Sequence, residues 1–254
     1  MTEKEAEPWF RFSDKLLETA LSIFGEAEVP ITARGASEPK VLAMTLLVRS
    51  ISNFTGVVML SRQGMIVEAR ILARNCYENL LWIGGLASQG DAFVKAMLHD
   101  ENKNKVGRGE LLLGKYQLDD EVEKRLRAQL RVIHKQPKPS KSLNPNSVAQ
   151  DGPLDHGYVI YSQLSADAAH PSLTALARYI GRADENGVSV RTIDVSPLPR
   201  PGEIATTMDW ACNALIGICV GVNQILEGTP AGQTLLALAD EYQSLARRVA
   251  GKSE

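Results

Sequence analysis

The sequence has few of the residues that build metal sites and disulfide frameworks. Its 254 residues include three cysteines and four histidines, and aromatic residues make up only 6% of the chain. The cysteine count is odd and no Cys-x-x-Cys pair occurs, so we interpret the thiols as buried and reduced. No HExxH or Cys/His framework occurs either, and the sequence therefore predicts no metal and no cofactor.

A dominant sign of charge is also missing. Lysine and arginine number 28 against 30 aspartate and glutamate residues, which gives a formal net charge of −2. The total charge therefore does not favour a polyanionic partner. The Walker, GxGxxG and GxSxG motifs are absent, so nucleotide hydrolysis, Rossmann cofactors and α/β-hydrolase chemistry have no support.

Long uninterrupted apolar runs are lacking as well. Arg49 and Asn53 interrupt the window 41–60, and the window 210–226 has 17 residues, the short limit for a membrane span. We interpret both windows as core helices and predict no membrane partner. The acidic N-terminus carries no signal-peptide core, which together with the reduced thiols predicts a cytoplasmic protein.

Helical periodicity is what the chain contains in abundance. It predicts one mainly α domain over residues 1–254, a bundle of about seven or eight helices. The predicted helices cover residues 8–24, 39–63, 65–87, 90–106, 119–135, 154–169, 203–226 and 230–249. Gly107 and Gly109 are expected to end the fourth of these helices.

Two segments break the helical pattern. The proline-rich stretch 136–153 is predicted to be a mobile loop inside the domain. Residues 175–195 predict a small β-hairpin inserted before the last two helices, with strands at 175–180 and 188–195. The dipeptide Asn186-Gly187 is the turn signal of this hairpin.

A polar row on the third predicted helix is the first candidate site. Arg70, Arg74 and Glu78 are spaced at i, i+4 and i+8, so they share one face of an otherwise apolar helix. If this face points inward, the guanidinium groups could clamp a phosphate or a carboxylate. The alternatives are a surface row held by the Arg74–Glu78 pair and a buried structural network.

The segment 161–171 is the second candidate site. Tyr161 and Ser165 share a helix face, and Asp167 precedes His170 by three residues, close enough to orient its ring. A helix C-terminus favours the protonated imidazole, so His170 and Tyr161 are candidates for proton transfer. The alternative is a helix-end histidine bonded to backbone and a core tyrosine.

A basic segment is the third candidate. Residues 124–141 include seven lysine and arginine residues and no acid. Such a segment could contact a phosphate backbone, although basic runs are commonly only a solvated helix face. The candidate nucleic-acid-binding residues are Lys124, Arg127, Arg131 and Lys135.

The motifs resemble a known family. The run 64–78, followed downstream by the segment from Tyr161 to Ser172, resembles a family of uncharacterised bacterial proteins, the domain of unknown function five-six-seven-seven. Its members are largely α-helical and pair an Arg-and-Glu helix with a later Tyr–Leu–Ser–His–Pro segment. The resemblance covers about residues 41–226 and implies no established activity.

A looser similarity is to the HEPN superfamily of helical, often dimeric domains, many of them metal-independent ribonucleases of toxin or antiphage systems. Their signature is an arginine, usually followed by a polar residue, with four to six residues between the arginine and a histidine. Arg127 and His134 match this spacing, with Ala128 in place of the polar residue. This similarity implies RNA or a nucleotide phosphate as ligand and a homodimer as the assembly.

Two hypotheses follow. In the first, the chain is an HEPN-like ribonuclease or a nucleotide- or nucleic-acid-binding module of a defence or toxin system. Its ligand-binding residues would be Arg70, Arg74 and Ser165, and its catalytic residues His170, Tyr161 and Glu78. In the second, the chain is a non-catalytic helical interaction protein in which the same residues form a structural polar network. The first hypothesis requires these side chains to converge in one open concave site.

Overall fold

The computed structural model describes residues 6–136, 143–152, 154–169, 171–185 and 188–250. Within these ranges the chain forms ten α-helices and one two-stranded antiparallel sheet, which precedes the last two helices. The helices are α1 (Glu7–Glu26), α2 (Pro39–Arg62), α3 (Ile66–Gln89), α4 (Asp91–Lys115), α5 (Asp120–His134), α6 (Pro145–Gln150), α7 (Asp155–Leu164), α8 (Leu173–Leu176), α9 (Glu203–Ile225) and α10 (Gly232–Ala250). The strands are β1 (Ile180–Glu185) and β2 (Val188–Ile193). The predicted mainly α fold with a late hairpin is confirmed.

Helices α3 and α9 form the centre of the bundle, and α2 packs against both of them. Two glycines of α9 allow a close approach to α3. A Cβ atom on Gly217 would lie 2.7 Å from Leu80 Cδ1, and one on Gly221 would lie 2.3 Å from Ile83 Cγ2. Larger residues at either position would push the two central helices apart, because a packed interior tolerates little added volume.

A tight turn joins α2 to α3. Gly64 has a φ of +72°, a left-handed conformation that favours glycine. The backbone N–H of Gly64 donates to the carbonyl of Ser61 at 3.1 Å, and that of Met65 donates to the carbonyl of Leu60 at 2.9 Å. The turn reverses the chain at once, so α2 and α3 pack as neighbours.

The three cysteines lie in the core. Cys76, Cys212 and Cys219 are fully buried and carry free thiols. Burial raises the pKa of Cys76 and of Cys219 to about 12, so both remain protonated at neutral pH. This agrees with their interpretation as structural thiols.

The two most apolar helices satisfy the length and composition test for a membrane span. They are Pro39–Arg62 and Glu203–Ile225, whose apolar 18-residue windows have mean hydropathies of 1.5 and 1.3. In this fold 44% and 56% of their apolar windows are buried inside the protein. The core helix of a globular domain meets the same test, so the finding is weak evidence for a membrane.

The predicted end of the fourth helix at residue 106 is wrong. Helix α4 continues through Gly107 and Gly109 to Lys115. A Cβ atom on Gly109 would lie 2.8 Å from Leu130 Cδ2, so this glycine accommodates a leucine of α5. The packing of α5 on α4 thus outweighs the low helix propensity of glycine.

The proline-rich stretch 136–153 is not irregular throughout. It contains α6, whose first turn is closed by a capping box. Asn144 Oδ1 accepts from the Ser147 backbone N–H at 2.9 Å, and Ser147 Oγ accepts from the Asn144 N–H at 3.2 Å. Val148 and Ala149 are buried, which anchors this helix to the bundle. Residues 137–142 and 153 lie outside the described part of the chain.

The first predicted strand of the hairpin is misplaced. Residues 173–179 form α8 and a 3-10 turn, and Ser172 caps α8 by accepting from the Ala175 N–H at 3.1 Å. The ladder begins at Ile180, the last residue of the predicted first strand, which lies opposite Ile193. Asn186 and Gly187, the predicted turn, lie outside the described residues.

Candidate functional site

Polar side chains of α3, of the α7 end, of the 3-10 turn after α8 and of α9 meet on one side of α3. We call this set the arginine cluster, and it comprises Arg70, Arg74, Glu78, Tyr161, Ser165, Asp167, Arg178, Glu203 and Thr207. The predicted row on α3 provides its first members, because residues at i, i+4 and i+8 share a helix face. The structure turns this face towards α7 and α9 rather than to solvent alone.

Arg70 lies at the buried end of the row and is 9% exposed. Its Nε donates to Thr207 Oγ1 at 3.2 Å, and its Nη1 donates to the carboxylate of Asp167 and lies 3.5 Å from Glu203 Oε1. Its Cζ also lies 5.8 Å from the centre of the Trp210 ring. The guanidinium of Arg70 is therefore enclosed by partners from the α7 end and from α9.

Arg178 and Glu203 form a two-point ion pair beside Arg70. The Arg178 Nη1 and Nη2 donate to the two carboxylate oxygens of Glu203 at 2.9 and 2.7 Å. The backbone N–H of Arg200 adds a third bond to Glu203 at 2.8 Å, and Arg178 Nη2 lies 3.8 Å from Asp167 Oδ2. This geometry is the strong form of a charge-assisted hydrogen bond.

The pKa values of this pair reflect burial and hydrogen bonding. Burial disfavours the ionised form of Glu203, but the hydrogen bonds from Arg178 and from the Arg200 backbone, together with the charges of Arg70 and Arg178, outweigh it and lower its pKa. The hydrogen bond to Glu203 raises the pKa of Arg178. Both groups are therefore charged at neutral pH.

Arg74 lies one helical turn further along α3 and closer to solvent. Its Nε donates to Ser165 Oγ at 2.9 Å, its Nη1 to Glu78 Oε2 at 3.2 Å, and its Nη2 to the Tyr161 hydroxyl. Its Cζ lies 4.6 Å from the centre of the Tyr161 ring. The side chains of Arg74 and Glu78 are 23% and 35% exposed, so this end of the cluster forms an open edge.

The tyrosine of this edge is held in place by its own helix. Ser165 Oγ donates to the backbone carbonyl of Tyr161 at 2.8 Å while it accepts from Arg74. The Tyr161 ring stacks on that of Tyr158, with centroids 5.9 Å apart. Burial raises the pKa of Tyr161, so its hydroxyl stays protonated at neutral pH.

A π-helical turn, Ser165–Ala169, continues α7 into the cluster. Ser165 bonds Arg74 and Asp167 bonds Arg70, although residues two apart do not share a face of a regular α-helix. The widened turn and the long arginine side chains bring both polar groups to α3. Such π-turns are rare in proteins, and those that occur are often found at functional sites.

The structure brings together five of the residues predicted from sequence: Arg70, Arg74, Glu78, Tyr161 and Ser165. His170, the predicted proton-transfer residue, lies outside the described part of the chain. The predicted nucleic-acid-binding residues lie on or at the end of α5, which packs on α4, and do not join the cluster. Arg127 bonds Glu123 of its own helix at 2.8 Å.

Three members of the cluster were not found from sequence: Arg178, Glu203 and Thr207. Arg178 lies within a predicted strand, and Glu203 is only the first residue of a predicted helix. The arginines that Glu203 contacts, Arg178 and Arg70, are distant from it along the chain, so only the tertiary fold reveals the pairing. Within the described ranges no three metal-ligating side chains come together, and Asp167 bonds Arg70 instead of a metal.

Comparison with known proteins identifies a family and no activity. Residues 40–188 match a family of unknown function, DUF5677. This range contains both predicted motifs and ends before α9, so Glu203 and Thr207 lie beyond the matched region. No curated protein and no solved structure matches the chain. Because the matched range covers more than half of the sequence, the chain belongs to the family of unknown function DUF5677.

Proposed function

We propose that the chain is a non-catalytic helical interaction protein in which the arginine cluster holds the α7 end against α3 and α9. The observation that carries this proposal is the balance of charge. Three guanidinium groups of the cluster meet three carboxylates, those of Glu78, Asp167 and Glu203. A guanidinium and the carboxylate that it bonds form a neutral pair, so the cluster as a whole has no net positive charge to attract a phosphate.

Burial supports the same conclusion. The side chains of Arg178, Arg70 and Glu203 are 7%, 11% and 12% exposed, so a phosphate has little access to them. Breaking a buried ion pair by removing one partner costs about 3–5 kcal/mol. A network of this kind therefore favours one arrangement of the three helices over looser ones.

RNA cleavage and bacterial growth inhibition test this proposal. We compare the full chain with Arg74→Met and with Arg11→Met, a control on α1 whose side chain is 71% exposed. We expect the same background RNA cleavage and the same growth for all three proteins. Cleavage by the wild type that falls in Arg74→Met but not in Arg11→Met would refute the proposal.

The open edge favours one second candidate, an HEPN-like ribonuclease or a phosphate-binding module of a defence system. Arg74 uses three of its five N–H donors on described partners, and the others could reach a phosphate. Ser165 would then help to bind the phosphate, and Glu78, Tyr161 and His170 would assist proton transfer.

The salt dependence of RNA binding distinguishes this second candidate. Each phosphate contact contributes about −0.7 to the slope of log K against log salt for a single strand. If Arg74 binds phosphate, Arg74→Met is expected to lose about one such contact. If α5 binds phosphate instead, Arg131→Met is expected to lose about one. A wild type that binds RNA without salt dependence would contradict both sites.

A further inference from the structure

A cavity of about 500 Å³ lies apart from the contacts of the arginine cluster, between the start of α1, the end of α2 and the segment before α9. We call it the Ser61 pocket. Its lining includes Glu7, Phe10, Ser61, Arg62, Pro199 and Ile204. This volume falls within the range of small-molecule sites, which is roughly 300–1,000 Å³.

The wall of the pocket is held in place by neighbouring structure. A Cβ atom on Gly64 would lie 3.4 Å from Pro199 Cγ, so the segment before α9 rests directly on the α2–α3 turn. Glu203, which precedes Ile204, is tied to Arg178 by two hydrogen bonds. A preformed wall reduces the ordering that a ligand must impose.

Ser61 carries an unsatisfied hydroxyl at this pocket. Thr45, Ser50, Ser52 and Thr55, the other hydroxyl residues of α2, donate to carbonyls of their own helix at 2.7–3.2 Å. Ser61 is fully buried, and its Oγ has no hydrogen-bond partner among the described residues. A buried polar group without a partner costs about 1–3 kcal/mol, so a ligand gains affinity if its binding turns the Ser61 side chain towards the cavity and bonds the hydroxyl.

Two charged groups of the pocket also have free hydrogen-bonding capacity. Arg62 Cζ lies 4.3 Å from the centre of the Phe10 ring. The nearest carboxylate oxygen in the described chain, Asp14 Oδ2, lies 3.8 Å from Arg62 Nη2. Glu7 has one described ionic neighbour, Arg11, at 3.9 Å. Both distances exceed those of hydrogen bonds, so each group can still bind a ligand of opposite charge.

We propose that the Ser61 pocket binds a small zwitterion with an apolar body, of the class of apolar amino acids and their dipeptides. The ligand carboxylate bonds Arg62 and the Ser61 hydroxyl, and its ammonium group pairs with Glu7. Its apolar body packs against Phe10, Pro199 and Ile204. This ligand matches each kind of group in the lining, whereas a simple anion would leave Glu7 as a repulsive neighbour.

Calorimetric titration of the full chain tests the proposal with L-leucine, L-phenylalanine and leucyl-leucine. Glycine removes the apolar body, leucinamide the carboxylate and N-acetyl-leucine the ammonium group, so each control ligand is expected to bind at least about tenfold more weakly. No heat and no rise in melting temperature with any of the three ligands at millimolar concentration would overturn the proposal.

Variants locate the binding. We expect Arg62→Gln and Glu7→Gln each to raise the Kd about tenfold, and Ser61→Ala to raise it a few-fold. Arg248→Gln, an exposed arginine on α10, is the matched control and should leave the Kd unchanged. Ile204→Trp should fill the cavity and abolish binding while circular dichroism stays unchanged. Binding that survives all of these changes would place the ligand elsewhere and refute the inference.

Discussion

Arg62 and Arg70 lie eight residues apart on either side of the α2–α3 turn, and their guanidinium groups have very different surroundings. Arg70 is bonded to Thr207 and Asp167 and is almost completely buried. The Arg62 side chain is 45% exposed, and its nearest described carboxylate oxygen is 3.8 Å away. The Arg70 end of the arginine cluster is thus a closed, satisfied network, while the Ser61 pocket is open and unsatisfied.

The partners of an arginine separate a structural role from a ligand-binding one. The cluster uses its charges within the protein, so their removal should mainly affect stability. The pocket leaves its charges and one hydroxyl without close partners, so their removal should mainly affect binding. The sequence shows an arginine in a helical context in both cases, and only the partners distinguish the two roles.

Replacing Arg70 should cause the largest loss in the free energy of unfolding. Arg70→Met leaves Asp167 without its main described cation and should lower the free energy of unfolding by about 3–5 kcal/mol, because a charge stays buried without its partner. Arg62→Met removes an exposed cation–π contact with Phe10 and should cost about 0.5–1 kcal/mol. Urea denaturation followed by circular dichroism measures both values. Equal losses in the two variants would eliminate the distinction between cluster and pocket.

The second prediction concerns Glu203, the carboxylate that Arg178 bonds through two hydrogen bonds. Glu203→Gln keeps the shape of the side chain but removes the charge that Arg178 bonds, so it should cost about 1.5–3 kcal/mol at neutral pH. The pKa of Glu203 is lowered in the folded state from its ordinary value of 4.5. Its contribution is therefore present above pH 4.5 and is lost as the pH falls through the folded-state pKa.

Denaturant titrations of Glu203→Gln from neutral to acidic pH follow this contribution directly. The stability difference from the wild type should be constant above pH 4.5 and should shrink below it. An exposed acid of the chain, Glu101, provides the matched Glu→Gln control, because its side chain is 55% exposed. A difference that stayed constant into the acidic range would contradict the lowered pKa of Glu203.

Much of the fold could be predicted because its signals are local. Periodicity and helix-end residues located the long helices, and the i, i+4 spacing placed Arg70 and Arg74 on one face. Arg178 and Thr207 could not be found this way, because they meet Arg70 or its partners only through the tertiary fold. The Ser61 pocket combines segments that begin at residues 7, 61 and 198, and no local pattern joins them.

The smallest changes in the free energy of unfolding are expected at two serines of α2. Ser50 Oγ donates to the Leu46 carbonyl at 2.7 Å and accepts from Asn79 Nδ2 at 3.0 Å, so Ser50→Ala leaves the buried Asn79 amide unpaired and should cost about 1–2 kcal/mol. Ser61→Ala removes an already unsatisfied hydroxyl and should raise the free energy of unfolding by up to about 1 kcal/mol. Thermal and urea denaturation of the ligand-free chain compare the two changes. A loss of stability in Ser61→Ala equal to that in Ser50→Ala would mean that the Ser61 hydroxyl is satisfied within the protein, and the pocket would then lose the group that most favours a ligand.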